Sequence, residues 1–181
     1  MSALPYDGAP DYAEALEGWR VWRVVERHGS LSLGSVVKPT LWPEGEPLVA
    51  ACLSRRAFGW WTWRRTVHDS PAMACECGIY ATSLGQLGPY LGDPLPRDAV
   101  ARVLGRVALW GDVVECERGL RASHAYPLSL FVPGEDDDPP AAAPLDIARR
   151  LRSYGVPVKV LPGRGRDALR LLEPERARSR R

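Results

Sequence analysis

Residues Val103–Pro127 read VLGRVALWGDVVECERGLRASHAYP. Val107 to Trp110 and Val113 to Cys116 are valine-rich runs broken by Gly111-Asp112, the pattern of strand, bend and strand. Arg118-Gly119 is the next turn, and Leu120 to Tyr126 returns. Glycine at both bends permits a sharp reversal, so the segment is predicted to be a compact β meander. Glu115, Glu117 and Arg121 could pair across its strands. Upstream, Val100 to Trp110 is rich enough in valine to be largely strand, after a helical turn that Asp98 could cap.

Further toward the N-terminus, Trp19 to Glu26 (WRVWRVVE) mixes aromatic and β-branched residues with arginine in a strand pattern. His28-Gly29-Ser30 supplies a turn, and Leu31, Leu33 and Val37 continue in period two, which reads as a hairpin. Asp11 to Glu17 reads as a short helical stretch. Trp42-Pro43-Glu44-Gly45 is a turn before a short strand, Leu48 to Leu53. Gly78 to Leu87 starts a short helix, and Gly85 to Pro96 is a loop. Trp19, Trp22, Val107, Leu109, Trp110 and Val114 are expected in the core, with at least one indole N–H buried and paired.

Toward the C-terminus, Pro133 to Ala143 is acidic and rich in Pro and Ala, a linker composition. Leu145, Ile147, Ala148, Leu151 and Tyr154 form a helical stripe, Gly155 is a natural C-cap, and Val156 to Leu161 is a strand. The fold class is therefore α+β: β-rich, a small twisted antiparallel sheet or partial barrel with a few short helices. The organisation is an N-terminal arm (1–17), a β-rich core (18–132), an acidic linker (133–143), a helix–strand appendage (144–173) and a disordered basic tail (174–181).

The 181 residues suit one compact domain, and 45% hydrophobic with 25% charged residues is an ordinary globular balance. The basic side is almost all arginine, since Lys38 and Lys159 are the only lysines, a bias of GC-rich bacterial genomes. A formal charge of +2 is too small to imply nucleic-acid binding by itself. No apolar run reaches the roughly 18 residues of a membrane helix, so no membrane partner is expected. The first dozen residues lack the basic and apolar regions of a secretory signal, so a reducing, cytoplasmic setting is expected. There, four cysteines point to metal, catalysis or packing before disulfides.

Cys75-Glu76-Cys77-Gly78 is the most specific local feature. Two thiols one residue apart on a turn can converge on a soft cation. With His68 upstream and Cys52 at the end of a predicted strand, they make a Cys3His set of the kind that holds structural Zn2+. Unliganded burial of the cysteines is the competing reading. Cys116 shares a face with Val114 and Leu120 and reads as core, although it could replace Cys52 as fourth ligand. A nucleophilic reading would use Cys75 or Cys77 with His68 or His124 as base, yet no nucleophile signature or oxyanion motif surrounds them.

Arg55-Arg56 and Trp60 to Arg65 place indoles beside guanidinium groups, the combination that binds single-stranded nucleic acid or anchors a protein interface. Arg55, Trp60, Trp61, Trp63, Arg64 and Arg65 are the candidate partner contacts. The alternative is buried indoles with arginines reaching out to solvent.

His68 to Pro71 (His-x-x-Pro), Cys75 to Ala81 (Cys-x-Cys-Gly-Ile-Tyr-Ala) and Val107 to Pro127 (Val-x-Leu-Trp-Gly…Gly-x-Arg-Ala…Ala-Tyr-Pro) resemble the motifs of a group of bacterial, mainly actinobacterial, proteins. That resemblance spans Trp19 to Val132. It implies that His68, Cys75, Cys77 and Trp110 act as one unit, and it carries no activity. The reading is a non-enzymatic binding or regulatory module with a structural Zn2+ site and a protein or nucleic-acid partner. A thiol-dependent enzyme or redox protein using Cys75 or Cys77 is the alternative.

Overall fold

The computed structural model describes residues 11–58, 60–65, 68–91, 94–135 and 144–172, with side chains omitted for 11–13, 53–67, 135 and 164–166. Long strands dominate: β1 (Asp11–Arg27), β2 (Ser30–Ser35), β7 (Ala99–Cys116) and β8 (Gly119–Glu135). Shorter ones are β3 (Leu48–Val49), β4 (Leu53–Phe58), β5 (Trp60–Arg65), β6 (Ile79–Ala81) and β9 (Val158–Arg164). Among the described residues three short α-helices accompany them: α1 (Gly88–Leu91), α2 (Pro144–Arg150) and α3 (Gly165–Leu172).

The central sheet has seven strands, is mixed, and is not closed into a barrel. Its path is β2-β1-β7-β8-β3, with β6 and β9 also paired to β8. Among the described strands only β9 is parallel to its neighbour, running from Leu130↔Val158 to Glu135↔Arg164. The Val103–Pro127 stretch forms the β7–β8 hairpin, from Leu104↔Phe131 to Cys116↔Gly119. At the Gly111 bend the register shifts between Trp110 and Val113. Gly111 has φ +72°, and a Cβ there would stand 2.3 Å from Ser123 Oγ, so only glycine fits.

Alternation along β1 buries both of its faces. Trp22 and Val24 join Leu33, Trp42, Val107, Leu109, Ile147, Leu151 and Tyr154 in the larger core. Val21 joins Leu84, Leu87, Leu91, Leu104, Phe131, Ala168 and Leu172 on the other side. Val114 is buried as well, whereas Trp19 and Trp110 are half-buried, Trp19 packing on Phe131 at 6.0 Å. Trp42 meets Trp22 edge-on at 5.3 Å and donates its N–H to Ser35 Oγ at 3.3 Å. The buried Trp22 N–H has no acceptor among the described residues.

The structure corrects the sequence in several places. Asp11 to Glu17 is strand, because Asp11, Tyr12 and Leu16 find partners in Asp112, Gly111 and Leu109 across β7, and pairing overrides a local helical preference. Gly78 to Leu87 is strand β6 followed by a single 3-10 turn at Leu84–Gln86, because Ile79 and Ala81 pair with Ala122 and Leu120. Within Gly85 to Pro96, α1 turns so that Leu87 and Leu91 reach the second core.

The helix–strand segment after the linker is built into the main core. Ile147, Ala148, Leu151 and Tyr154 pack with Trp22 and Val107, and Gly155 ends that stripe at φ +69°. The linker's first residues, Pro133 to Glu135, belong to β8. Residues 136–143 and the tail from 174 lie outside the described residues.

Candidate metal centre

The outer edge of β8 explains where this site lies. β3 pairs there through Leu48↔Ala125 and Val49↔His124, and the Ala50 N–H still donates to Ser123 O at 2.7 Å. β6 takes over the same edge at once, with Ile79↔Ala122, Tyr80↔Arg121 and Ala81↔Leu120. β3 and β6 are thus one edge strand interrupted at Ser123, and the chain from Ala51 to Gly78 is an excursion from it. Cys52 stands where the chain leaves, His68 on its return, and Cys75 and Cys77 where it rejoins.

One donor atom from each of Cys52, His68, Cys75 and Cys77 lies within 4.8 Å of all the others. Cys52 Sγ and Cys75 Sγ are 3.7 Å apart. A disulfide would require about 2.05 Å. Two thiolates on a tetrahedral Zn2+ at about 2.3 Å would stand about 3.8 Å apart, close to what is found. His68 Nδ1 is 2.7 Å from Asp69 O. A carbonyl only accepts, so Nδ1 carries the proton and Nε2 keeps its lone pair for a cation, a common outer-sphere arrangement for a ligating histidine.

The Cys-x-Cys loop is held from outside by Arg121. This buried residue of β8 donates from Nη1 to Cys77 O at 3.0 Å, to Cys75 O, and more distantly to Ala72 O at 3.5 Å. Within the loop, Cys75 N–H donates to Ala72 O at 3.1 Å, Ala72 N–H to Cys77 Sγ at 3.4 Å, and Tyr80 O–H to Glu76 O at 2.8 Å. Gly78 has φ +118°, and a Cβ there would press on Arg121 Cβ at 3.0 Å and Pro71 Cβ at 3.1 Å. Sequence periodicity points to cross-strand partners for Arg121, not to loop carbonyls. Its role is legible only once β6 is known to pair with β8.

Burial, and then hydrogen bonding to Cys52 and Cys77, pushes the Cys75 thiol above its ordinary value. Burial would also raise Cys77, but the Ser70 side chain, the Ala72 N–H, Cys75 and the nearby His68 together hold it below. The more exposed thiol is thus the less acidic one, and the more acidic Cys77 is only 1% exposed. That inverts what a nucleophilic cysteine needs, an accessible and acidic thiol.

Cys116 lies outside the cluster, its Sγ–H donating to Gly119 O at 3.2 Å. His124 also lies outside it, stacked on Trp110 at 6.0 Å with Nδ1 2.9 Å from Ser123 Oγ. For Arg55, Trp60, Trp61, Trp63, Arg64 and Arg65, the side chains lie outside the described residues. Their backbone forms the β4–β5 ribbon, a separate two-stranded sheet that, among the described residues, pairs with no strand of the large one. No family model matches the chain, and no curated protein or solved structure does either.

Proposed function

We propose that this chain is a non-enzymatic binding module in which a structural Zn2+, held by Cys52, His68, Cys75 and Cys77, clasps the base of the β4–β5 ribbon. The observation that carries this is the convergence of four soft donors from both ends of one excursion within 4.8 Å. Three sulfurs and one imidazole fill a tetrahedral shell, leaving no open position for substrate, as in structural zinc sites. Three thiolates and a neutral imidazole leave a zinc complex with one negative charge, which the adjacent Arg121 guanidinium offsets. The metal does here what strand pairing does elsewhere: it ties a long excursion at its neck, and its binding energy stabilises the fold.

Elemental analysis and thiol counting on protein purified without chelator test this. The expected result is one zinc per chain, with Cys116 the only thiol open to a thiol reagent until a chelator is added. Metal-free protein whose cysteines all react at once would overturn it.

A further inference from the structure

We propose that Cys75 is an oxidation site for hydrogen peroxide, resolved by Cys52 into a disulfide that releases the metal and keeps the neck of the excursion tied. The inference deepens the binding-module reading and rests on it for the metal. The three sulfurs of the cluster are unequally accessible. Cys52 is 5% exposed and Cys77 1%, whereas Cys75 is only half-buried. His68, within 4.8 Å of it, is exposed, so the cluster meets solvent through Cys75 and His68.

Binding of the metal changes what decides reactivity. Zn2+ takes the proton from every thiol it binds, so all three sulfurs become thiolates whatever their acidity in the metal-free chain. Access then separates them, and susceptibility to oxidation follows thiolate character and exposure together. Hydrogen peroxide, little larger than water, needs far less clearance at a half-buried sulfur than an aromatic thiol reagent does.

The nearest resolving group is Cys52, whose Sγ is 3.7 Å from Cys75 Sγ. A bond of about 2.05 Å asks these sulfurs to close by about 1.7 Å. Cys77 is the poorer partner. Its Sγ accepts the Ala72 N–H at 3.4 Å, and a bridge to Cys75 through Glu76 alone strains the dihedral of about ±90° that a disulfide prefers. Cys116 lies outside the cluster. Cys52 precedes Cys75 by 23 residues, at the opposite end of the excursion. A bridge between them therefore joins the same two chain segments that the metal joins.

In the first step the Cys75 thiolate attacks one peroxide oxygen and the O–O bond breaks. Cys75 becomes a sulfenic acid, and the departing hydroxide takes a proton to become water. The Cys52 thiolate then attacks the Cys75 sulfur, the S–O bond breaks, and a second hydroxide leaves and is protonated. Two thiolates, one peroxide and two protons thus give one disulfide and two waters, with two electrons passing from sulfur to oxygen. Zn2+ takes no part in the electron transfer. Cys77 and His68 are too few ligands to keep it against a chelator.

The test is titration of the zinc-loaded chain with hydrogen peroxide, in the parent and in Cys116→Ser, which lacks the thiol outside the cluster. Released zinc is read with a chromophoric chelator, and disulfides are mapped on peptides. Cleavage after arginine and glutamate places Cys52, Cys75 and Cys77 on separate peptides. The expected result in both chains is about one zinc released and two thiols lost per peroxide consumed. The Cys52 and Cys75 peptides should be joined, with Cys77 left as a thiol. A dithiol reductant with added zinc should restore the starting state.

A bridge from Cys77 as the main product would overturn the proposal, as would Cys75 carried to sulfinic acid with no bridge. So would zinc and thiols unchanged after a large excess of peroxide. Zinc is measured on the same preparations before oxidation, which separates the two claims. A chain that holds zinc but forms no Cys52–Cys75 bridge overturns the oxidation site alone. A chain that forms the bridge without ever holding zinc overturns the clasp alone.

Discussion

Arg121 holds the Cys-x-Cys half of the cluster through the backbone of its loop. Its guanidinium is buried, has no carboxylate partner among the described residues, and is satisfied by carbonyls of the Cys-x-Cys loop. Removing it leaves Cys75 O and Cys77 O without that donor, at about 1–3 kcal/mol for each buried acceptor. Arg121→Ala is therefore expected to lower stability by roughly 2–6 kcal/mol in denaturant titration. It should also weaken zinc about 10–100-fold in competition with a chelator, the usual effect of losing an outer-sphere partner. Unchanged zinc affinity would show that the loop holds its own shape. The grouping of Cys52, His68, Cys75 and Cys77 is legible in the sequence, because thiols and an imidazole at that spacing can converge on one cation. Arg121 is not legible, because its partners are backbone atoms brought by a strand pairing that no local pattern encodes.

At the level of elements, the long strands announce themselves by composition and the short ones do not. Val100 to Trp110 and Trp19 to Glu26 carry enough valine and tryptophan to be read directly, and both are strand. Asp11 to Glu17 and Ile79 to Ala81 are strand only because β7 and β8 offer edges to them. The stripe from Leu145 to Tyr154 shows the same limit: its periodicity identifies a helix, but not what the helix covers. Tyr154 binds that segment to the sheet, its hydroxyl donating to Trp42 O and accepting from Leu33 N–H, both at 2.8 Å. Burial pushes this phenol up to about 12 from 10. A raised folded-state value means the contribution is complete below pH 10 and declines as pH climbs toward 12, because only the unfolded chain ionises readily there. Tyr154→Phe should cost about 1–3 kcal/mol near neutrality. Across that alkaline window the parent should lose roughly 2–3 kcal/mol more than the variant. Identical alkaline profiles would mean that the hydroxyl is not held in the core as described.

Seen whole, the molecule is an open mixed sheet with a core on each face and one long excursion from its edge. The excursion leaves after β3 and returns at β6, so it could end anywhere unless its neck is closed. Four side chains that could hold a metal ion gather at that neck, and the β4–β5 ribbon lies beyond it in the chain. Fold and site thus meet at Ser123, where one edge strand hands over to another. The central claim is that a single metal ion ties this neck through three sulfurs and one nitrogen. X-ray absorption at the zinc edge of the purified chain measures that shell directly. The account predicts three sulfurs at about 2.3 Å and one nitrogen at about 2.0–2.1 Å. A shell of nitrogen and oxygen alone, or one with fewer than three sulfurs, would contradict it.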